Sequence, residues 1–434
     1  MDHEWEALMR YVSTDYTPKR CTARLEEDNF PIAFSMLVYR DFDRALRLLR
    51  AIHRPHNCYC IHVDRKTRKK YRDVFEKQVR KSYGPEVFLV PFENTTVVTW
   101  GRLSVLESDL LCSRMLLERC PSWLYWINLT GHEFPLRTNW ELVTALKLLN
   151  GSNAIDATLK SRYSTRLPTS HDLPFQFTWY TGSVHIVARR EFVEYIHNNP
   201  KAIHLLNVLK HHELTRNVRT ITDETFFSTL NHNPDTFPVP GAFLGEHEPN
   251  AIKSVARYKV WDWQDKTCGT GYWVRRICML GLKDLPSLES APEFFANKFI
   301  VSVEPEAYDK LEQWINEKVE YECERNDLHP SFNRTYYSSL ELSWNHFDVG
   351  AQLAYTSSKT SAIPKLRITE LRTFFTECQC KTFETSQVKK SYMRHEVRLS
   401  ETQCCRFAKK LLNAYECGVR HNIRNENYNR FLDL

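Results

Sequence analysis

No stretch of this 434-residue chain reaches the roughly 18 consecutive apolar residues that a membrane span needs. The opening segment, Met1 to Arg20, is charged and has no apolar core of the kind that marks a signal peptide. Glycine is scarce, with 12 residues, and none of them builds a Gly-rich phosphate loop or a Gly-x-Ser-x-Gly elbow. That sets aside P-loop and α/β-hydrolase chemistry. The formal net charge is only +6, and no Lys/Arg block is long enough to track a phosphate backbone, so the charge gives no case for nucleic acid as a partner. Internal repeats and low-complexity tracts are also lacking.

Cysteine is plentiful by contrast. The 13 cysteines are many for a reduced cytosolic protein, and an odd number leaves at least one thiol free or paired outside the chain. Asn-x-Ser/Thr sequons begin at Asn94, Asn128, Asn150 and Asn333. Together they favour an oxidising, secretory compartment. Asn128 falls inside an apolar strand-like run and is expected to stay unglycosylated. A secretory protein would need a targeting segment that this chain does not carry; the alternative is a cytosolic protein with reduced thiols.

From Phe30 onward, strand and helix signals alternate. Pro31–Tyr39, Asn57–Val63, Glu86–Val90 and Trp123–Leu129 are apolar runs with strand character. Helical spacing lies between them, with Leu46, Leu49 and Ile52 in one segment and Leu103, Leu106, Leu110 and Leu117 in another. The expected class is α/β. Residues 1–29 read as a polar lead-in, 30–325 as the main α/β domain and 326–434 as a C-terminal extension of different texture.

Several constellations carry chemical potential. Asp64 ends the Cys58–Val63 run just beyond His62; a carboxylate at a strand's C-terminal end can accept hydrogen bonds from a base or ribose, although a solvated strand end explains it as well. Asp223-Glu224 opens an apolar helix, where acidic residues are favoured by capping and the helix dipole; held at a cleft, the same carboxylate could take a proton from a hydroxyl nucleophile. Arg275 and Lys298 could jointly bind a diphosphate, or each could be a surface cation with a buried stem. Trp261 and Trp263 could stack on sugar faces, or fill a core. Asp41-Phe42-Asp43 matches the Asp-x-Asp pattern of metal-dependent sugar-nucleotide enzymes, but it precedes a helix and capping explains it better. Cys378, Cys380, Cys404 and Cys405 fit no common zinc spacing.

Taken in order, Phe30–Ser35, Leu48–Ile52, Tyr59–Asp64, Ile127–Leu129, Gly182-Ser183, Asp223-Glu224 and Phe295–Phe299 resemble the core 2 / I-branching β-1,6-N-acetylglucosaminyltransferase family, which also includes peptide O-xylosyltransferases. The resemblance implies a GT-A-like fold with a mixed central sheet, and an inverting enzyme that uses a UDP-sugar without a metal or other cofactor. It implies that Glu224 is the catalytic base, that Arg275 and Lys298 replace the metal at the diphosphate, that Asp64 belongs to the uridine site, and that Trp261 and Trp263 line the acceptor side, with Trp263 in place of a tyrosine. It also implies Cys60–Cys112 and Cys268–Cys278 disulfides, UDP-N-acetylglucosamine and a glycan or glycoprotein as substrates, and residence in the Golgi lumen behind a membrane anchor absent from this chain. A xylosyl donor, or a silent glycan-binding role, stays open. The sequence departs from the family pattern in four ways. The residues by which core 2 enzymes read galactose have no clear counterpart in 151–178, a family cysteine is replaced around Lys310, Cys21 has no obvious partner, and the long tail is not a core 2 feature.

Overall fold

The computed structural model describes residues 3–13, 21–159, 164–168, 173–245 and 254–347. Among the described residues the strands are β1 Ile32–Val38, β2 Cys58–Val63, β3 Val87–Leu89, β4 Tyr125–Thr130, β5 Glu133–Pro135, β6 Val187–Arg189, β7 Arg257–Tyr258, β8 Trp273–Val274, β9 Ile277–Cys278 and β10 Phe295–Asn297. The main sheet has the order β3-β2-β1-β4-β6. Its first four strands are parallel, and β6 runs antiparallel to β4. The fold is therefore α/β with a mixed central sheet, as expected. A second sheet, β5-β10-β7, and a two-stranded hairpin, β8-β9, complete the strands.

Why the runs become central strands follows from their composition. Every residue of β2 is buried and β1 is buried at all but one position, which an unbroken apolar run between two helical layers requires. Alternation sends Phe34, Met36 and Val38 into one core with Leu46, Leu49 and Tyr59. Ala33, Cys60 and Trp126 go into the other, with Leu106, Leu110, Phe226 and Phe227. In a parallel sheet the strand C-termini open onto one edge, which is where ligands collect. Asp64, Tyr39–Asp41 and the turn after β4 lie there; the Asp64 amide donates to the Val38 carbonyl at 2.9 Å.

The lead-in is built into this fold. Leu8, on the helix His3–Ser13, is fully buried, and Trp5 packs edge-on against Tyr71 with centroids 5.4 Å apart. Cys21 bonds Cys323, which corrects the expectation that Cys21 lacks a partner: the closing cysteine lies farther along, on the helix Pro305–Arg325. Cys268–Cys278 forms as expected. Cys60–Cys112 does not; the two Sγ atoms stand 3.0 Å apart as free thiols, and the bond joins Cys58 to Cys120 instead. The helix Ser104–Arg119 packs along β2, and Cys120, at its C-terminal cap, is the residue bonded to the strand's first position. Packed structure continues past residue 325. The Tyr337 hydroxyl, on the helix Arg334–Ser339, is buried and donates to the Pro292 carbonyl at 2.6 Å. Cys378, Cys380, Cys404 and Cys405 lie outside the described residues. Among the described residues no helix is long and apolar enough to cross a membrane.

Two smaller expectations are decided by side-chain geometry. Asn128 is buried, its amide donating to Asp109 Oδ2 at 3.0 Å and to the Val184 carbonyl at 2.7 Å, which leaves no room for a glycan. Asp41 stands at the N-cap of the helix Phe42–Ile52 but makes no capping hydrogen bond; its φ is 50° and its carboxylate pairs with His132 Nε2 at 3.1 Å. Asp41 therefore fastens the turn after β4 to the sheet edge rather than capping its own helix.

Candidate functional site

Glu224 sits in the first turn of the helix Thr222–Asn231, whose N-cap is Ile221 at φ 47° and ψ 52°. A β-branched residue in the left-handed region is strained and persists only where its surroundings fix it. Here the Ile221 amide donates to the Gly101 carbonyl at 3.1 Å, and the Gly182 amide donates to the Glu224 carbonyl at 2.7 Å. Asp223, the neighbouring acid, is buried, and its Oδ1 has no hydrogen-bond partner. Burial, reinforced by Glu224, pushes its carboxyl up to about 8. Glu224 is only partly buried. Burial also raises its proton affinity, but the Lys259 and Arg166 cations oppose the rise. Glu224 is therefore the one that ionises, while Asp223 keeps its proton. A small cleft bounded by Arg166, Thr181, Thr220 and Ile221 opens at Glu224.

Arg275 occupies the turn of the β8-β9 hairpin, where both Arg275 (φ 52°) and Arg276 (φ 68°) are left-handed. Two-residue hairpin turns usually meet that demand with Asn-Gly. The turn is fastened from outside: Arg276 bonds both Asp262 oxygens at 2.9 and 3.0 Å, and Cys268–Cys278 locks its base. The Arg275 guanidinium lies 4.2 Å from the Trp100 ring centroid. Lys298 follows β10, and its carbonyl accepts from Leu280 at 3.0 Å. Burial, then Arg275, Arg40 and Lys259, bring its ammonium down to about 8. Arg219 and Arg40 also press on Arg275. Cations crowded in this way form a place that a multiply charged anion would relieve.

Beneath this crowd runs a buried polar network. Glu133 Oε2 accepts from Arg257 Nε at 2.9 Å, and Oε1 from Asn297 at 2.9 Å, with His185 Nε2 at 2.8 Å. Burial alone would raise Glu133, but Arg257 and His185 hold its carboxylate down at about 2. His185 is driven to about 3, by burial and then Lys259. The network spans β5, β7 and β10 and fixes the residue beside Lys298.

Trp261 and Trp263 stack with centroids 4.5 Å apart and planes 25° apart. Trp263 is 58% exposed, too open to be a core residue, and the Arg276 guanidinium lies 4.7 Å from its ring. Asp64 is nearly buried at the end of β2. Its Oδ1 accepts from the Lys66 amide at 3.0 Å, and Oδ2 pairs with Lys66 Nζ at 3.1 Å. Among the described residues no group of three His, Cys, Asp or Glu side chains could hold a metal ion.

The predicted residues gather around shared neighbours. Trp100 carries Arg275 on its ring, and the adjoining Gly101 binds Ile221, the N-cap of the helix that bears Glu224. Lys259 acts on both Glu224 and Lys298. Tyr39 and Arg40 extend β1 beside Asp64 and influence Arg275. Lys259, Arg166 and Arg40, which also stand at this site, are not marked out by the motifs of the sequence alone. Lys259 had a legible signal: Arg257, Lys259 and Trp261 alternate, so they share a face of an extended strand. Arg166 stood in a polar loop with no periodicity to point at it.

Comparison with known proteins extends these observations. The family model for "Core-2/I-Branching enzyme" matches residues 32–289. A mouse N-acetyllactosaminide β-1,6-N-acetylglucosaminyl-transferase is 33% identical over 343 residues, covering 73% of this chain and 80% of that protein. A rat β-1,3-galactosyl-O-glycosyl-glycoprotein β-1,6-N-acetylglucosaminyltransferase 3 is 32% identical over 330 residues, covering 69% and 71%. A zebrafish (Danio rerio) β-1,3-galactosyl-O-glycosyl-glycoprotein β-1,6-N-acetylglucosaminyltransferase 4 is 32% identical over 329 residues, covering 69% and 73%.

Proposed function

On the premise that this chain belongs to the Core-2/I-branching enzyme family, we propose that it is an inverting, metal-independent glycosyltransferase. It moves N-acetylglucosamine from UDP-N-acetylglucosamine to a glycan acceptor and forms a β-1,6 branch. The relatives' names supply the sugar and the linkage. The observation that carries the mechanism is a carboxylate, Glu224, flanked by two cations and linked through Lys259 to the positive cluster of Arg275 and Lys298.

The acceptor hydroxyl attacks the donor's anomeric carbon from the face opposite the diphosphate. The new carbon–oxygen bond forms as the bond to the diphosphate breaks, and the hydroxyl proton passes to Glu224. Asp223 stays protonated and adds no repelling charge. The departing diphosphate gathers negative charge, which Arg275 and Lys298 meet in a partly dry cleft, the task a metal ion performs in other sites. Asp64 holds the uridine end of the donor, and the Trp261/Trp263 stack offers a flat apolar surface to the acceptor sugars. The disulfides Cys21–Cys323, Cys58–Cys120 and Cys268–Cys278 fit work in the Golgi lumen.

Glu224→Gln tests the assignment. Transfer, followed as UDP release, falls by at least about 10²-fold while UDP affinity by calorimetry is largely kept. Equal loss of both would make Glu224 structural. A donor and acceptor screen in EDTA tests the rest: turnover only with a divalent ion would overturn the two-cation mechanism, turnover with UDP-xylose alone would change the donor, and binding without turnover would make the protein a glycan binder.

A further inference from the structure

We propose that Lys259 is a positioning residue for Glu224, a fixed cation that keeps the base charged and ties it to the Trp261 surface. The inference rests on Glu224 being the base. Lys259 follows β7, on the same face as Arg257 and Trp261. Its ammonium donates to Ser183 Oγ at 2.7 Å and stands 5.7 Å from the Trp261 ring centroid. Ser183 is itself held, because its Oγ accepts from the His185 amide at 3.1 Å. The preceding residue, Gly182, donates its amide to the Glu224 carbonyl at 2.7 Å. One hydroxyl and one peptide therefore join the ammonium to the helical turn that bears the base.

The charges around the pair are unequal. Facing Glu224 are Asp223 from its own helix, Arg166 from the 164–168 segment, and Lys259. Facing Lys259 are Asp156, Glu224, Arg257 and Glu133, and Lys259 in turn acts on His185 and Lys298. Glu133 is already paired with Arg257, so Asp156 and Glu224 are the carboxylates that the ammonium favours most. Before transfer its field keeps Glu224 ionised against its burial. During transfer the proton goes from the acceptor hydroxyl to Glu224, and Lys259 neither gains nor loses one. Among the described residues the ammonium's hydrogen bond goes to Ser183 rather than to the Glu224 carboxylate.

The test is the pH profile of kcat/KM in Lys259→Met, Lys259→Gln and Lys259→Arg, with UDP affinity and thermal melting measured alongside. Removing the charge moves the acid limb up by about one pH unit, so that activity recovers as the pH rises. Lys259→Gln, which can keep the hydrogen bond to Ser183 without the charge, shows the same displacement, and Lys259→Arg restores the wild-type limb. UDP affinity changes far less than on loss of Lys298. An unmoved acid limb in a folded Met or Gln variant overturns the proposal, as does inactivity at every pH in a variant that melts normally and binds UDP. Should Glu224→Gln retain transfer, the reading of the base fails instead; loss in Glu224→Gln with an unmoved limb in the Lys259 variants refutes this inference alone.

Discussion

Lys298 gives the sharpest quantitative expectation. Its ammonium sits at about 8 in the free protein, against 10.5 for an ordinary lysine, because burial and the neighbouring Arg275, Arg40 and Lys259 all disfavour the charge. A bound diphosphate reverses the balance by placing negative charge among the cations, so the complex holds the proton to higher pH. Binding and protonation are then linked. Above pH 7 UDP itself is almost fully ionised, since a terminal phosphate loses its last proton near pH 6; any dependence at higher pH belongs to the protein. With a free value of 8, the protonated fraction falls from about three-quarters at pH 7.5 to about one-tenth at pH 9, so the UDP dissociation constant rises by about eightfold. Calorimetry between those limits, repeated in buffers of different ionisation enthalpy, reads both the affinity and the uptake of about 0.8 proton per UDP near pH 8.5. Lys298→Arg keeps its charge throughout and flattens the dependence. Lys298→Met binds weakly and without this dependence. A wild-type affinity that stays constant across the range, with no proton uptake, would refute the placement of Lys298 at the diphosphate.

Two further outcomes follow from packing. Gly182→Ala would put a methyl carbon 1.9 Å from the Asp156 carbonyl oxygen and 2.2 Å from Ser228 Oγ. The loop must withdraw and break its bond to the Glu224 carbonyl; because one clashing atom is backbone, melting falls too, and transfer measured where the variant is still folded drops by about 10²-fold or more; unchanged turnover would show that this loop does not position Glu224. Glu133→Gln leaves Arg257 buried opposite a neutral partner and costs about 3–5 kcal/mol of stability in denaturant titration at neutral pH. Because Glu133 is held at about 2, below its ordinary 4.5, its stabilisation is complete above the ordinary value and drains away as pH falls towards 2; the gap between wild type and variant must narrow in that direction. A gap that is constant or widens in acid would refute the ion-pair account.

Much of this protein was decided in one dimension. The apolar runs of β1, β2 and β4 have nowhere to go but a sheet covered on both faces, so alternating helical segments made the α/β class legible from Phe30 onward. Glu224, Arg275 and Lys298 stood out only because ordered motifs around them resemble a known family, and their roles remain a proposal; alone, an acid in a first helical turn and two isolated cations have ordinary explanations. Other features depended on three-dimensional proximity that no local pattern encodes. Cys58 rather than Cys60 is disulfide-bonded, because its partner, Cys120, sits at the end of the helix beside β2. Asp41 bonds across to His132 rather than capping its own helix. Cys21 finds Cys323 across 302 residues. The electrostatics of the site belong to the same category. Whether a carboxyl keeps its proton depends on burial and on which charges stand near it: burial pushes up both Asp223 and Glu224, adjacent in the chain, but Lys259 and Arg166 oppose the rise at Glu224. Composition and period select the fold; the distances between charges, which only folding sets, select the chemistry.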